Sequence, residues 1–277
     1  MCQTCGQHFG ERLWYLEPEK HRIRSEGLLR KIVEDNMISF ATMGYKLIQK
    51  KQPYGNDPLT GVSQQLLNWL IKTIHGTQAL PNLDSAFQAI DLAQEVALVP
   101  CLCKHALNPE LPPAWHCIGM NMTAKICYQK PSAYPVRVIS KQEAKDITAA
   151  RRAEGAMQTV GWQWDANVTW LCNCDQHCWS HRMVELDWGL LPSYVASRLV
   201  QPDACDGCQE CERWCLRKGA LTFGKDGQPV IDEAFCRGCG LCIEHCPQEA
   251  LGFVPREIFY DVLTKTVREL GKETTQL

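Results

Sequence analysis

The spacing of apolar residues predicts a largely helical N-terminal region. Between residues 27 and 50, apolar side chains recur at the intervals of an amphipathic helix. The stretch 51–61, which contains proline and glycine, interrupts this pattern. A second helix is predicted over residues 62–76, with Gly76 at its C-terminal end. Residues 1–80 are therefore interpreted as an N-terminal helical region.

Two more helices are predicted downstream, and each leads towards a pair of cysteines with one residue between them. The first covers residues 83–99 and runs directly into "PCLCK". The second covers residues 140–160 and precedes "WLCNCDQHC". Residues 81–200 are accordingly interpreted as a cysteine- and tryptophan-rich middle domain with a metal site.

The pattern changes after residue 200, where cysteines, glycines and short apolar runs follow one another closely. "GALTF" and "QPVI", separated by "GKDG", have the pattern of a β-hairpin. Residues 201–256 are interpreted as a separate compact module. Apolar residues recur at helical spacing once more after it, so residues 257–277 are interpreted as a C-terminal helix and tail.

Composition and charge bear on the ligands, the location and the cysteine chemistry that are expected of this protein. The formal net charge is -2, so no overall positive field favours nucleic acid, and no apolar stretch is long enough to span a membrane. The N-terminal residues lack the basic start and apolar run of an export signal, which favours a cytoplasmic location. Thiols stay reduced in the cytoplasm, so the 17 cysteines are expected to bind metal rather than to form disulfides.

The strongest motif is a cysteine run with the spacing C-x2-C-x2-C-x3-C, which occurs twice. Three cysteines spaced in this way can wrap three corners of a cubane iron-sulfur cluster, and the fourth thiolate has to come from elsewhere. The two runs consist of Cys205, Cys208, Cys211 and Cys215, and of Cys236, Cys239, Cys242 and Cys246.

The last cysteine of each run is expected on a following helical turn that points towards the other cluster, so the runs exchange ligands. Structural zinc is the alternative, but eight cysteines in two such runs exceed what zinc sites ordinarily use. One 4Fe-4S cluster is thus predicted at Cys205, Cys208, Cys211 and Cys246, and a second at Cys236, Cys239, Cys242 and Cys215.

In these residues the chain resembles bacterial two-cluster ferredoxins. The resemblance covers about fifty residues and includes Pro247 after the final cysteine, whereas Leu216 stands where proline is usual. It implies a bacterial ferredoxin-like module at the C-terminal end. Together with the helical periodicity upstream, the expected fold class is α+β, with mainly helical N-terminal and middle regions followed by the two-cluster module.

Six cysteines of the middle region are a second group of candidate ligands. Two C-x-C pairs and a lone cysteine can close a third cluster once the intervening helices fold together, although the fourth ligand is not fixed by the spacing. The six are Cys101, Cys103, Cys117, Cys172, Cys174 and Cys178.

The middle pattern also resembles an incompletely characterised group of iron-sulfur proteins from anaerobes. These carry C-x-C-[RK], an isolated cysteine and C-N-C-C ahead of a two-cluster ferredoxin module, and Asp175 replaces the second adjacent cysteine here. The alternatives are buried thiols without a metal, or zinc bound by four cysteines or by three cysteines and a histidine. The nearby histidines are His105, His116, His177 and His181.

No nucleotide-binding, haem-attachment or hydrolase motif accompanies the cysteines. The expected function is therefore electron transfer, as a subunit or dedicated redox partner of an anaerobic oxidoreductase complex, through two or three 4Fe-4S clusters. The alternative is a reductase whose middle-domain metal binds substrate, with Asp175 leaving a labile iron and His177 supplying protons. A redox-sensing regulator is a third hypothesis, and no nucleic-acid-binding element supports it.

Overall fold

The computed structural model describes residues 14–23, 75–101, 104, 112, 114–129, 136–163, 167–175, 178, 195–233 and 235–255. The chain divides into two compact units, Leu13–Leu191 and a second that continues from Pro192. None of the helices in the described ranges combines the length and the apolar character that a membrane-spanning helix needs.

The first unit is built on six strands, which are β1 (His75–Ala79), β2 (Val96–Pro100), β3 (Trp115–Met120), β4 (Arg137–Val138), β5 (Met157–Gln163) and β6 (Asn167–Cys174). They form one antiparallel sheet in the order β1-β5-β6-β3-β2-β4. Every residue of β2 is buried. Strands β6, β3 and β2 are therefore neighbours, and they place residues that are distant in sequence side by side.

Three helices accompany the sheet, namely α1 (Leu83–Leu92), α2 (Met122–Gln129) and α3 (Lys141–Ala153). The side chain of Asn82 caps α1 by accepting a hydrogen bond from the backbone N–H of Ser85. Ser140 caps α3 in the same way through the N–H of Glu143. α1 and α3 pack against each other, and α3 also contacts four strands of the sheet.

The expectation of a mainly helical middle region is wrong, because helix and strand are mixed there. α1 ends at Leu92 instead of residue 99, and α3 ends at Ala153 instead of residue 160. In both cases the apolar residues that follow form a strand, β2 or β5. A strand buried on both faces is a continuous apolar run, which periodicity alone does not separate from the end of a helix.

A further correction concerns Gly76, which was expected to end a helix. It lies in β1 and pairs with Trp162 of β5. The helices predicted over residues 27–50 and 257–277 lie outside the described residues, as does most of the segment 62–76.

The second unit contains the same succession twice, a strand, a cysteine run with one helical turn, and another strand. The elements are β7 (Val195–Leu199), α4 (Glu210–Arg213), β8 (Leu221–Phe223), β9 (Pro229–Ile231), α5 (Leu241–Glu244) and β10 (Leu251–Pro255). β7 pairs antiparallel with β10, and β8 pairs antiparallel with β9. The hairpin predicted from "GALTF" and "QPVI" is thereby confirmed.

Candidate metal centres

Equivalent residues of the two cysteine runs share an unusual backbone conformation. Gly207 and Gly238 occupy matching positions and have positive φ angles of 72° and 61°. Gln209 and Gly240 also match, with φ angles of 60° and 75°. Glycine adopts such angles readily, and a Cβ atom at Gly207 would lie 3.3 Å from the carbonyl oxygen of Asp226. The repeat in the sequence is therefore also a repeat in the structure.

The structure brings the last cysteine of the second run to the first three cysteines of the first run. Cys205, Cys208, Cys211 and Cys246 line one cavity, which is partly open to solvent. Burial, and then the negative charges of neighbouring thiols such as Cys246, raise the pKa of Cys211 to about 11. Four thiols that oppose one another's ionisation fit a bound cationic iron-sulfur core, which would offset this repulsion.

Cys215 in turn lies near the cysteines of the second run. Burial is the first cause of the raised pKa of Cys215, and the charge of Cys236 adds to it. Burial also raises the pKa of Cys242, with further contributions from Cys239, Cys236 and Cys215. The second predicted ligand set is thus also gathered in one place.

Ser197 in β7 contacts two thiols of this second set. Its backbone N–H donates to Sγ of Cys236 at 3.3 Å, and its hydroxyl lies 3.4 Å from Sγ of Cys242. Ser197 is 1% exposed. No sequence pattern predicts a role for Ser197, because nothing around it distinguishes it from any other strand serine.

The middle cysteines lie at the ends of three neighbouring strands. Cys101 directly follows β2, and Cys117 lies in β3. Cys172 and Cys174 are two residues apart in β6 and therefore share a face of the sheet, and Cys178 follows that strand. The pairing of Ile118 with Leu171 brings β3 and β6 together one residue from Cys117 and Cys172. Cys103 lies outside the described residues.

Five of these thiols form a closed ring, which we call the thiol ring. Cys101 and Cys172 both lie close enough to Cys117 to raise its pKa, and Cys101 and Cys174 act in the same way on the pKa of Cys178. Cys172 and Cys174 close the ring. Hydrogen bonds to its two neighbours raise the pKa of Cys117 well above its usual value, whereas hydrogen bonds from Cys117 and Cys174 lower the pKa of Cys172.

His116 lies beside this ring and is almost completely buried. Its side chain is 4% exposed, and a nitrogen of its imidazole lies within 4.8 Å of Sγ of both Cys101 and Cys178. Nε2 has no hydrogen-bond partner among the described parts of the chain. His116 is one of four histidines considered from the sequence, and the other three lie outside the described residues.

Asp175, next to the thiol ring, forms ion pairs with Lys104 and Arg151. Its Oδ2 lies 2.6 Å from Nζ of Lys104 and 3.0 Å from Nη2 of Arg151. Its Oδ1 lies 3.5 Å from Sγ of Cys178. Burial lowers the pKa of Lys104, but the hydrogen bond and charge of Asp175 more than offset this, so the pKa is raised. Oδ2 is thus engaged by two cations, and this arrangement does not favour Asp175 as a metal ligand.

Cys127 is a buried thiol that is not one of the candidate ligands predicted from the sequence. It lies in α2 and packs in the same apolar cluster as the thiol ring and Trp170. Burial raises its pKa to about 11, and no other cause contributes. Its spacing from the other cysteines matches no ligand motif, so only the fold could show that it lies in this core.

Part of the second unit matches a known protein family. A family of 4Fe-4S binding domains matches residues 229–252. The pyruvate synthase subunit PorD of Methanocaldococcus jannaschii is 30% identical over 59 residues, which cover 21% of this chain and 67% of that protein.

Two other relatives share a smaller part of their length. One component of the Na(+)-translocating ferredoxin:NAD(+) oxidoreductase complex of Acetobacterium woodii is 34% identical over 61 residues, 19% of this chain. An uncharacterized ABC transporter ATP-binding protein of Methanocaldococcus jannaschii is 36% identical over 84 residues, 28% of this chain. The chain spans 18% and 13% of these two proteins. No solved structure matches the chain.

Proposed function

The chain belongs to the family of ferredoxin-type 4Fe-4S proteins, and from this premise we propose that it relays single electrons within or to an oxidoreductase complex. The observation that carries the proposal is the pair of four-thiol sets in the second unit, each assembled from both cysteine runs. When bound there, 4Fe-4S clusters supply centres that accept and release one electron each.

The proposed ligand sets are the two predicted from the sequence. Cys205, Cys208, Cys211 and Cys246 bind the first cluster, since they share one cavity. Cys236, Cys239, Cys242 and Cys215 bind the second, since their charges act on one another.

Residues around these two sets of thiols limit the access of water and stabilise negative charge on sulfur. Apolar residues that pack against the thiols, including Leu221 and Leu251, limit the access of water. The N–H of Ser197 and the N–H of Gly238 both donate to Sγ of Cys236, which stabilises negative charge on that sulfur. Such contacts lower the cost of adding an electron, so they favour reduction.

The first ligand set is the proposed site of contact with a redox partner. Cys208 is the exposed member of the set, whereas Cys211 is buried. The similarity to components of a pyruvate synthase and of a ferredoxin:NAD(+) oxidoreductase complex supports a protein partner of the oxidoreductase class. The thiol ring of the first unit is the candidate for the additional metal, iron-sulfur or zinc, that the sequence predicts.

The exchange of ligands between the runs can be tested with double variants of the full chain, made without oxygen. Cys205→Ser with Cys246→Ser removes two ligands of one proposed cluster, so about four irons and about four sulfides should remain in the second unit. Cys236→Ser with Cys246→Ser removes one ligand from each cluster and should disturb both. The reverse result would show that each run binds its own cluster.

Electron transfer itself is tested by reductive titration of the unsubstituted chain under anaerobic conditions. The second unit should take up about two electrons per chain, with loss of visible absorbance that returns on reoxidation and with no loss of iron. Protein that contains zinc but neither iron nor sulfide in this unit would contradict the proposed function.

A further inference from the structure

The distance between two sulfur atoms of the thiol ring, those of Cys101 and Cys178, matches the coordination shell of one metal ion. Two thiolates bound to one tetrahedral zinc ion, at about 2.3 Å each, lie about 3.8 Å apart. Thiolates on different irons of a cubane lie roughly 6 Å apart, because two Fe–S bonds and an Fe–Fe edge separate them. The Sγ atoms of Cys101 and Cys178 are 4.0 Å apart, which is close to the first value and well below the second.

His116 is an independent indication of a metal at the same place. A nitrogen of its imidazole lies within 4.8 Å of both sulfurs. Its buried Nε2 lacks a hydrogen-bond partner within the described ranges, although buried polar groups are nearly always paired. Imidazole is a common zinc ligand in combination with thiolates, and it is uncommon on 4Fe-4S clusters.

We propose that the first unit binds one zinc ion through Cys101, His116 and Cys178, with Cys117 or Cys174 as the fourth ligand. Cys117 and Cys174 are both buried in the same core cluster as Cys101 and Cys178. Either choice gives the three-cysteine, one-histidine set of closed structural zinc sites.

The role of this ion follows from where its ligands lie. Cys101 follows β2, His116 lies in β3, and Cys178 follows β6, so one ion joins the ends of three adjacent strands. Zinc does not change its oxidation state, so the centre stabilises the first unit rather than carrying electrons. The inference therefore goes beyond the proposed electron transfer and does not depend on it.

Metal and sulfide counts on the full chain, produced anaerobically with both metals supplied, test the stoichiometry. The proposal expects about one zinc ion together with about eight irons and eight sulfides. About twelve irons and sulfides without zinc would overturn it, and so would an additional iron, without sulfide, in place of the zinc. About one zinc with too few irons would contradict the electron-transfer proposal alone.

Zinc X-ray absorption identifies the ligands. The unsubstituted chain should show about three sulfur neighbours near 2.3 Å and about one nitrogen neighbour near 2.0 Å. His116→Cys should keep the ion and lose the nitrogen neighbour. Because this variant offers four thiolates, it separates a loss of coordination from a failure to fold.

A matched pair of variants completes the test. His116→Ala should weaken zinc binding at least tenfold in competition with a chromophoric chelator, while the iron content of the second unit stays unchanged. Cys127→Ser is the control, since Cys127 packs in the same core but lies outside the thiol ring; it should keep the zinc. Unchanged zinc affinity in His116→Ala would overturn the proposal. So would a zinc X-ray absorption spectrum of the unsubstituted chain that shows no nitrogen neighbour.

Discussion

The indole ring of Trp214 stacks on the imidazole of His245, with ring centroids 3.4 Å apart and an angle of 31° between the planes. The two residues occupy equivalent positions in the repeat, since each caps the C-terminal end of one short helix, α4 or α5. Each is followed directly by the cysteine that reaches the other ligand set, Cys215 or Cys246. The stack therefore joins the two turns on which the exchange of ligands depends.

We expect this stack to stabilise the second unit in its cluster-bound form. Trp214→Ala and His245→Ala should each lower stability, with a coupling of about 0.5–1.5 kcal/mol between them, as for other aromatic pairs. The double-mutant cycle can be measured by denaturant unfolding under anaerobic conditions, followed by the visible absorbance of the clusters. Trp214→Phe is the control because it keeps a ring at this position. If the losses of unfolding free energy in the two alanine variants add up to the loss in the double variant, the rings do not interact.

The second unit could be largely predicted from the sequence because its determinants are local. The spacing of the cysteines fixes where the tight loops fall, and the glycines at positions 207, 238 and 240 adopt the positive φ angles of these loops. The hairpin follows from short-range turn residues in the same way. Ser197 could not be predicted, because its contacts with Cys236 and Cys242 depend on the pairing of β7 with β10, which is distant in sequence.

Removal of the Ser197 hydroxyl is expected to lower the reduction potential of the second cluster. When Cys242 is a thiolate ligand, this hydroxyl can donate to its sulfur and stabilise the added negative charge of the reduced state. A hydrogen bond of ordinary strength corresponds to a decrease of roughly 20–60 mV in Ser197→Ala. Potentiometric titration followed by electron paramagnetic resonance measures the change.

The control for this prediction is Thr222→Val in β8. The hydroxyl of Thr222 donates to the carbonyl oxygen of Val230 at 3.3 Å and is exposed, so its loss should leave both potentials unchanged. A potential that rises in Ser197→Ala, or that shifts equally in both variants, would show that the hydroxyl does not donate to the cluster ligand.

Neutralisation of Asp175 is expected to destabilise the first unit. The side chains of Asp175, Lys104 and Arg151 are 21–25% exposed, so solvent screens their ion pairs only partly. Asp175→Asn removes the anion that Lys104 and Arg151 share, while Arg151 keeps its ion pair with Glu154, and we expect a loss of about 1–2 kcal/mol. Urea unfolding of the metal-replete chain, followed by tryptophan fluorescence, measures this loss.

Asp146→Asn is the matched control, since Asp146 is exposed on α3 and accepts a hydrogen bond only from Gln142 of the same helix in the described contacts. Its effect should stay within about 0.5 kcal/mol, as for most surface substitutions. Equal effects of the two substitutions would mean that the cations around Asp175 contribute no specific stabilisation.

The middle site illustrates what the sequence could not provide. The cysteine motifs of the middle region include the five thiols that the structure gathers, but their ring depends on the order β6-β3-β2 in the sheet. That order follows from strand pairing over long sequence separations, which no local pattern encodes. The proximity of His116 to Cys101 and Cys178 has the same origin, so the sequence alone did not show that this histidine lies beside the two thiols.

The stability of the first unit is expected to fall with decreasing pH through His21. This side chain is 1% exposed; its Nε2 donates to the carbonyl oxygen of Tyr15 at 2.8 Å, and its Nδ1 faces the amide nitrogen of Asn121 at 3.3 Å. Burial, and then the charge of Lys141, lower the pKa of His21 below its ordinary value of 6.5, against the opposing hydrogen bond to Tyr15.

Because the folded-state pKa of His21 is lowered, the unfolded chain binds more protons once the pH falls below the ordinary value of 6.5. The stabilisation is complete above that pH and decreases as the pH falls towards the folded-state pKa. Urea unfolding at several values between about pH 7.5 and 5.5 should show this decrease, and His21→Gln should be less stable throughout but should lose less on acidification. Parallel pH profiles for the two proteins would show that His21 titrates alike in the folded and unfolded states.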